Sequence, residues 1–316
     1  MNSIKKLYSR VAPASKRQMN KTLEELKHIN SALTKENQML CDLLKKHSVE
    51  TEKQIRELKD QISLIKSEVQ ANKNTGREIK DKLYVTEKQA YHAYLQAQES
   101  VWAHVWRDTT KNIEWLKNTT FSPGRWAVGY QYLYVLYRAL SDVSPVSVLE
   151  LGLGQSTRLI SAYAALHPEM EHTVIEHDND WIDFFSTQNP VGANTTIEKL
   201  ELETGSFLDD DQVIMYKGFE EKVKGKKFDL ISIDAPFGGK AKKYARVDVL
   251  KKLPSCLSES FIIMMDDFNR PGERETMKKI EEKLEGAGIS YCKGLYCGVK
   301  QTAVITSDDW KFLCTL

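Results

Sequence analysis

The sequence predicts an α/β domain built on a mostly parallel sheet that closes with an antiparallel hairpin, preceded by a long α-helical coiled coil. Three observations carry this expectation. Between Ala14 and Ser122 there is no proline and the only glycine is Gly76, whereas both become frequent after Pro123. In the first half, apolar residues recur at alternating three- and four-residue steps. In the second half, short apolar runs that end in an acid alternate with helical patterns, the grammar of strands joined by crossover helices.

The 316 residues suffice for one domain and an extension. Charged residues make up 28% of the chain yet leave a net charge of only +1, so the basic excess of a nucleic-acid binder is missing. No run approaches the roughly 18 apolar residues of a membrane span, and no apolar segment near the start reads as a secretory signal. The five cysteines, at 41, 256, 292, 297 and 314, are scattered. Cys292 and Cys297 have no second pair to complete a zinc site, so free thiols and a cytoplasmic location are expected.

Residues 1–17 form a basic tail: the first twenty residues hold five Lys/Arg and no acid. A short disordered tail is expected there, with weak contact to an anionic membrane surface or a partner enzyme as its other role. Residues 18–75 form the coil. Leu23, Leu26, Asn30, Leu33, Asn37, Leu40, Leu44 and His47 keep one heptad frame. The frame then slips by four residues and resumes as Ile55, Leu58, Ile62, Ile65 and Val69, a stutter that unwinds a coiled coil locally without ending it. An apolar seam of about 80 Å calls for a partner helix, and buried amides at Asn30 and Asn37 favour a homodimer. Residues 76–120 turn aromatic, with Tyr84, Tyr91, Tyr94, Trp102, Trp106 and Trp115, and are expected to join the coil to the domain at 121–316.

Within that domain, Val146, Val148 and Leu149 mark a strand, Gly152 and Gly154 a turn, and Thr157 the resumption of helix. Glycines at a strand-to-helix turn admit close approach of a ligand to the backbone. The next strand, His172 to Ile175, ends in Glu176, placed to accept hydrogen bonds from both ribose hydroxyls of an adenosine-containing ligand. Phe228 to Ile233 ends in Asp234, and Phe261 to Met265 ends in Asp266 and Asp267. In a parallel sheet all these acids lie at the carboxyl ends, where ligands bind. A nicotinamide dinucleotide would want a third glycine where Thr157 stands, and Glu150 would repel its phosphates. Glu150 suits the cationic methionyl group of S-adenosylmethionine instead.

ELGLG at 150–154 resembles the E/D-x-G-x-G signature of the class I, Rossmann-like S-adenosylmethionine-dependent methyltransferases, and IEHD at 175–178 is similar to their second motif. The resemblance spans 120–316. Ile289–Tyr296 and Thr302–Thr306 look like that fold's closing hairpin. Ser156 stands where many members have a further glycine, and the GQST form resembles methyltransferases acting on polysaccharides. The resemblance implies cofactor contacts from Glu150, Gly152, Gly154, Ser156, Thr157, Glu176 and His177. It is also similar to the metal-dependent O-methyltransferases, which implies Mg2+ or Mn2+ on Asp234, Asp266 and Asp267.

Strand ends roughly 5 Å apart would bring those three carboxylates together, and hard oxygen donors suit such ions. Asp234 alone as a base, with Asp266 or Asp267 capping a helix, is the other expectation. Lys240, Arg246 and Arg270 are candidate contacts for a sugar, glycan or small-molecule acceptor. O-methylation of a sugar or glycan hydroxyl is therefore the function expected. A scaffold with a silent domain, or another transferase of this fold such as an aminopropyl transferase, are the alternatives.

Overall fold

In the computed structural model, residues 13–239, 241 and 243–316 are described. The basic tail before Pro13 and Lys240, an expected substrate contact, lie outside the described residues. Contacts divide the chain into two units, between Val85 and Thr86. The described residues of the first unit are helical, as part of α1 (Pro13–Thr110). Its heptad positions Leu23, Leu26, Leu33, Leu40, Leu44, Ile55, Leu58, Ile62, Ile65 and Val69 are 46–64% exposed in the single chain. No helix among the described residues is long and apolar enough to cross a membrane.

In the second unit α1 ends, a three-residue turn follows, and α2 (Tyr130–Arg138) leads into β1 (Ser147–Leu151) and α3 (Gln155–Ala164). The chain then runs β2 (Glu171–Glu176), α4 (Asn179–Gln188), β3 (Thr195–Lys199), β4 (Leu202–Phe207), β5 (Asp210–Tyr216) and α5 (Phe219–Lys222). It continues through β6 (Phe228–Ile233), β7 (Leu257–Met265), α6 (Pro271–Gly286), β8 (Cys292–Cys297) and β9 (Gln301–Thr306).

Seven strands form one sheet in the order β3-β2-β1-β6-β7-β9-β8, parallel except where β9 runs against both its neighbours. This is the Rossmann-like sheet with an antiparallel closing hairpin that the sequence leads one to expect. The separate β4–β5 hairpin was not legible in it. The chain builds outward from β1 to β3 and then returns to β6 on the other side of β1. The carboxyl ends of β1 and β6 therefore flank a topological switch point, where an open α/β sheet leaves a crevice for ligand.

Apolar alternation along the central strands divides the core in two. Leu149, Leu151, Ile231, Ile233, Ile263 and Met265 face one side with Met277, Ile280 and Leu284 of α6. Val148, Leu230, Ile262, Met264 and Val304 face the other with α2, Trp106 and Leu116. Both faces of a mostly parallel sheet are thus covered. The last turns of α1 belong to this body. Trp102 Nε1 donates to Cys297 O at 2.9 Å, and the Glu99 carboxylate accepts from the N–H groups of Tyr130 and Val299 at 2.9 and 3.0 Å. Of the six aromatics expected at the joint, Trp102, Trp106 and Trp115 pack into the second core, whereas Tyr84, Tyr91 and Tyr94 are exposed.

One buried acid outside the crevice has a consequence for stability. Asp248 is 1% exposed; its Oδ1 accepts from Tyr216 N–H at 2.7 Å and its Oδ2 has no partner. Burial pushes its carboxyl up to about 7, against lowering by the Tyr216 N–H. The folded chain thus keeps a proton that the unfolded chain releases near pH 4. The stabilisation is complete below that value and is lost as pH rises through about 7, on the order of 4 kcal/mol across the window. Asp248→Asn keeps the acceptor for Tyr216. Its Tm, followed by circular dichroism, is expected to fall less between about pH 5 and about pH 8 than that of the wild type.

Candidate functional site

A cavity of about 600 Å³ occupies the crevice at the switch point, within the usual size range for small-ligand sites. It is lined by Gly152 and Leu153 after β1, Glu176 to Asp178 after β2, Asp234 and Ala235 after β6, and Asp267 after β7. Trp181, Phe237, Arg246, Arg270, Lys300, Arg125 and Trp126 complete it.

One end of this cavity is built by hydrogen bonds around Glu176. Its carboxylate is 5% exposed and accepts from Leu153 N–H at 3.0 Å, His177 N–H at 2.7 Å and Asp178 N–H at 3.0 Å. His177 Nδ1 lies 2.7 Å from Glu176 Oε1. Burial opposes ionisation of Glu176, but these donors outweigh it and hold the carboxyl below its ordinary value. The same contact raises the His177 imidazole. The glycine turn is therefore fixed from β2, and from α4 as well, because Trp181 Nε1 donates to Leu153 O at 2.7 Å. Asp178 sets that tryptophan in place by capping α4, accepting Trp181 N–H at 3.1 Å.

Gly152 has φ +104°, and a Cβ there would sit 2.9 Å from Ala235 Cβ. Both the conformation and the contact with the β6 loop require glycine. The donors holding Glu176 leave acceptor capacity on Oε2, in a residue that lines the cavity, as a ribose diol requires.

Other expected cofactor residues lie apart from the cavity lining. Glu150 is fully buried, and its Oε2 is 3.0 Å from His172 Nε2 of the neighbouring strand. It shares the face of β1 that buries Val148. Thr157 is buried in the first turn of α3, where its hydroxyl accepts Gly154 N–H at 2.9 Å. Ser156 is buried beside it.

The other end of the cavity is built by ions. Asp234, Asp266 and Asp267 do converge: a carboxylate oxygen from each lies within 4.8 Å of the others. Arg246, 2% exposed, is threaded among them. Its Nη2 is 3.2 Å from Asp234 Oδ1 and 2.8 Å from Asp267 Oδ2, and its Nη1 donates to Asp266 O at 2.9 Å. Its Nε donates to Pro236 O at 3.3 Å and lies 3.7 Å from Glu273 Oε1. Arg246, expected as a substrate contact on a basic loop, lines the cavity and is a buried tie whose donors meet protein acceptors. Arg270, the other described candidate, lines the cavity while pairing with Asp267 at 2.8 Å and Glu273 at 3.5 Å.

Lys300, which sequence reasoning missed, lies 2.8 Å from Asp266 Oδ2 and 3.4 Å from Asp267 Oδ1. Nothing in the local sequence marks it. It arrives through the antiparallel register of β9 on β7, which sets Met265 against Ala303.

The three carboxylates are thus a donor set of the right chemistry for a hard divalent ion, but in this chain Asp234 Oδ1, Asp266 Oδ2 and both oxygens of Asp267 are already paired with guanidinium and ammonium groups, and Asp266 Oδ1 alone is a buried oxygen without a partner among the described atoms of the three. Such an ion does not fit without displacing these cations. Burial and the neighbouring Asp266 push the Asp234 carboxyl up to about 8, against the lowering effect of Arg246 and Lys300. Burial raises Asp266 and Glu273 as well. Arg246 and Asp267 both hold left-handed backbone conformations, φ +60° and +58°, which side-chain-bearing residues adopt only when their surroundings fix them.

No protein-family model matches the chain, and no curated protein matches it. Solved structures with a similar fold include a caffeoyl-CoA O-methyltransferase, so described provisionally, from Staphylococcus aureus. It is 15% identical with TM-score 0.39, covering 66% of this chain and 99% of that one. A methyltransferase from Podospora anserina bound to SAH is 16% identical with TM-score 0.35, covering 66% and 88%. Spermidine synthase from Thermotoga maritima is 13% identical with TM-score 0.35, covering 57% and 61%. Likenesses at this level carry no weight for cofactor or substrate.

Proposed function

We propose that this chain is an S-adenosylmethionine-dependent methyltransferase that alkylates a hydroxyl of a sugar or glycan and self-associates through its coil. The observation that supports the cofactor best is Glu176. An ionised acid at the end of β2 braces the glycine turn and lines a cavity at the sheet's switch point. The cavity also holds Trp181 and Asp178 on that side, and Thr157 stands where a dinucleotide turn carries its third glycine, so an adenosine ligand without phosphates suits it. The ELGLG and IEHD motifs fall at these two strand ends.

When bound, S-adenosylmethionine supplies an electrophilic methyl on a positive sulfur. Transfer to an acceptor oxygen would form a C–O bond at the expense of the S–C bond, whose electron pair would stay on the sulfur. Asp234 faces the task of taking the hydroxyl proton, since it lines the cavity and its carboxyl titrates within reach of neutral pH. The rate is then expected to rise with pH as Asp234 ionises. Lys300 and Arg270 supply positive charge beside it.

A sugar acceptor is supported by the mouth of the cavity. Trp126 is 81% exposed there, with its ring 5.6 Å from that of Phe237, and Arg270 lies 5.7 Å over Phe237. Flat apolar rings beside guanidinium donors match the alternating C–H faces and hydroxyl edges of a pyranose.

Calorimetric titration of S-adenosylmethionine into the protein tests the cofactor. Wild type is expected to bind, and Glu176→Ala to bind roughly ten- to hundredfold more weakly, the cost of losing a charged acceptor. Failure of the wild type to bind contradicts the proposal. Self-association is tested by sedimentation equilibrium. The wild type is expected to run as a dimer and the Leu33→Asp, Leu40→Asp double variant as a monomer, since charges at these positions are incompatible with a buried seam. A monomeric wild type contradicts it.

A further inference from the structure

We propose that Lys300, with Arg246, holds the position between Asp234, Asp266 and Asp267 that a divalent ion would otherwise take, so the site works on cations fixed in the chain and binds no metal tightly. The chemical consequence rests on the methyl-transfer proposal, but the occupancy of the site by side chains does not.

The geometry points to this assignment through the division of the oxygens. Lys300 Nζ spans Asp266 Oδ2 and Asp267 Oδ1, at 2.8 and 3.4 Å. Arg246 Nη2 spans Asp267 Oδ2 and Asp234 Oδ1, at 2.8 and 3.2 Å. Each of the three clustered acids thus meets one of these cations, and Asp267 meets both. With Arg270 also 2.8 Å from Asp267 Oδ2, the unit charges there supply at least what one divalent ion would.

Neither cation is free to swing aside. Arg246 is 2% exposed and bonded to two backbone carbonyls as well. Lys300 is 9% exposed, and its backbone is pinned at the β8–β9 turn. Its carbonyl accepts from Gly298 N–H at 2.8 Å and from Gln131 Nε2 at 3.1 Å. Lys300 also lines the cavity, so its ammonium can face an acceptor oxygen while it orders the acids. Lysine is the replaceable member. Removing it leaves Asp266 and Asp267 without their shared cation in a place open to water from the cavity, which is the setting a hard ion prefers.

The test is a titration of Mn2+ alone, read by the electron paramagnetic resonance of the free ion, on the full chain without S-adenosylmethionine. Wild type is expected to show no saturable site at micromolar Mn2+. Lys300→Ala is expected to gain one site per chain, at least roughly tenfold tighter, with a Tm that rises on adding Mn2+. Lys300→Gln serves as the second neutral variant should the alanine protein not fold, and is expected to gain the same site. A stoichiometric Mn2+ site in the wild type that Asp266→Asn abolishes overturns the proposal. So does absence of a gained site in both lysine variants. Because no cofactor is present, these outcomes are independent of whether the protein binds S-adenosylmethionine.

Discussion

The crevice depends on a single buried guanidinium. Arg246 draws together the loop after β6 through Asp234 and Pro236 O, the end of β7 through Asp267 and Asp266 O, and the first turn of α6 through Glu273. Taking a charge out of water costs several kcal/mol, and the guanidinium offsets part of that cost for the acids packed around it. Removing the arginine would leave Asp234 without the cation bonded to it, Glu273 with Arg270 alone, and Asp267 with Arg270 and Lys300. Breaking a buried pair typically costs about 3–5 kcal/mol. Glu273 also sits in the N-terminal turn of α6, where the helix dipole favours a negative charge. The left-handed backbone of Arg246 and of Asp267 is held by this convergence and would otherwise relax.

The opposite wall follows a different principle. Glu176 is stabilised by backbone N–H groups, and it stiffens the very turn that must approach a ligand. Its charge is kept by donors, so the carboxyl is lowered, whereas burial and a like neighbour raise Asp234 at the other wall. One cavity thus carries an acid suited to remain an acceptor and another suited to exchange a proton. Environments that push two carboxyls apart in this way are a recurrent basis for separating binding from acid–base work. Trp126 and Phe237 add an apolar mouth between the two walls.

Much of this was legible in the sequence because strand ends are. Apolar runs that stop at Glu176, Asp234 and Asp266 give both the strands and the side of the sheet where chemistry gathers, and the register places them as expected. What period-two patterning could not supply was side-chain partnership. Glu150 looks like a cofactor acid by motif, yet it lies on the Val148 face and meets His172. Arg246 reads as one more cation in a basic loop, and only packing against three elements reveals it as internal. Lys300 and Trp181 enter through β9 pairing and a helix cap, which join residues far apart in the chain or hidden by ordinary composition. The long helix was legible for the opposite reason: its helical periodicity is local.

The most direct measurement is a crystal structure of the chain grown with S-adenosylhomocysteine at saturating concentration. The account predicts density in the cavity of about 600 Å³, with the ribose hydroxyls on Glu176 and the ligand backed by the Gly152 turn. The sulfur would point toward Asp234, and the ion pairs of Arg246 and Lys300 would be intact. Ligand in the separate cavity of about 250 Å³ beside Arg158 and Asn189, or no ligand at all, would contradict it.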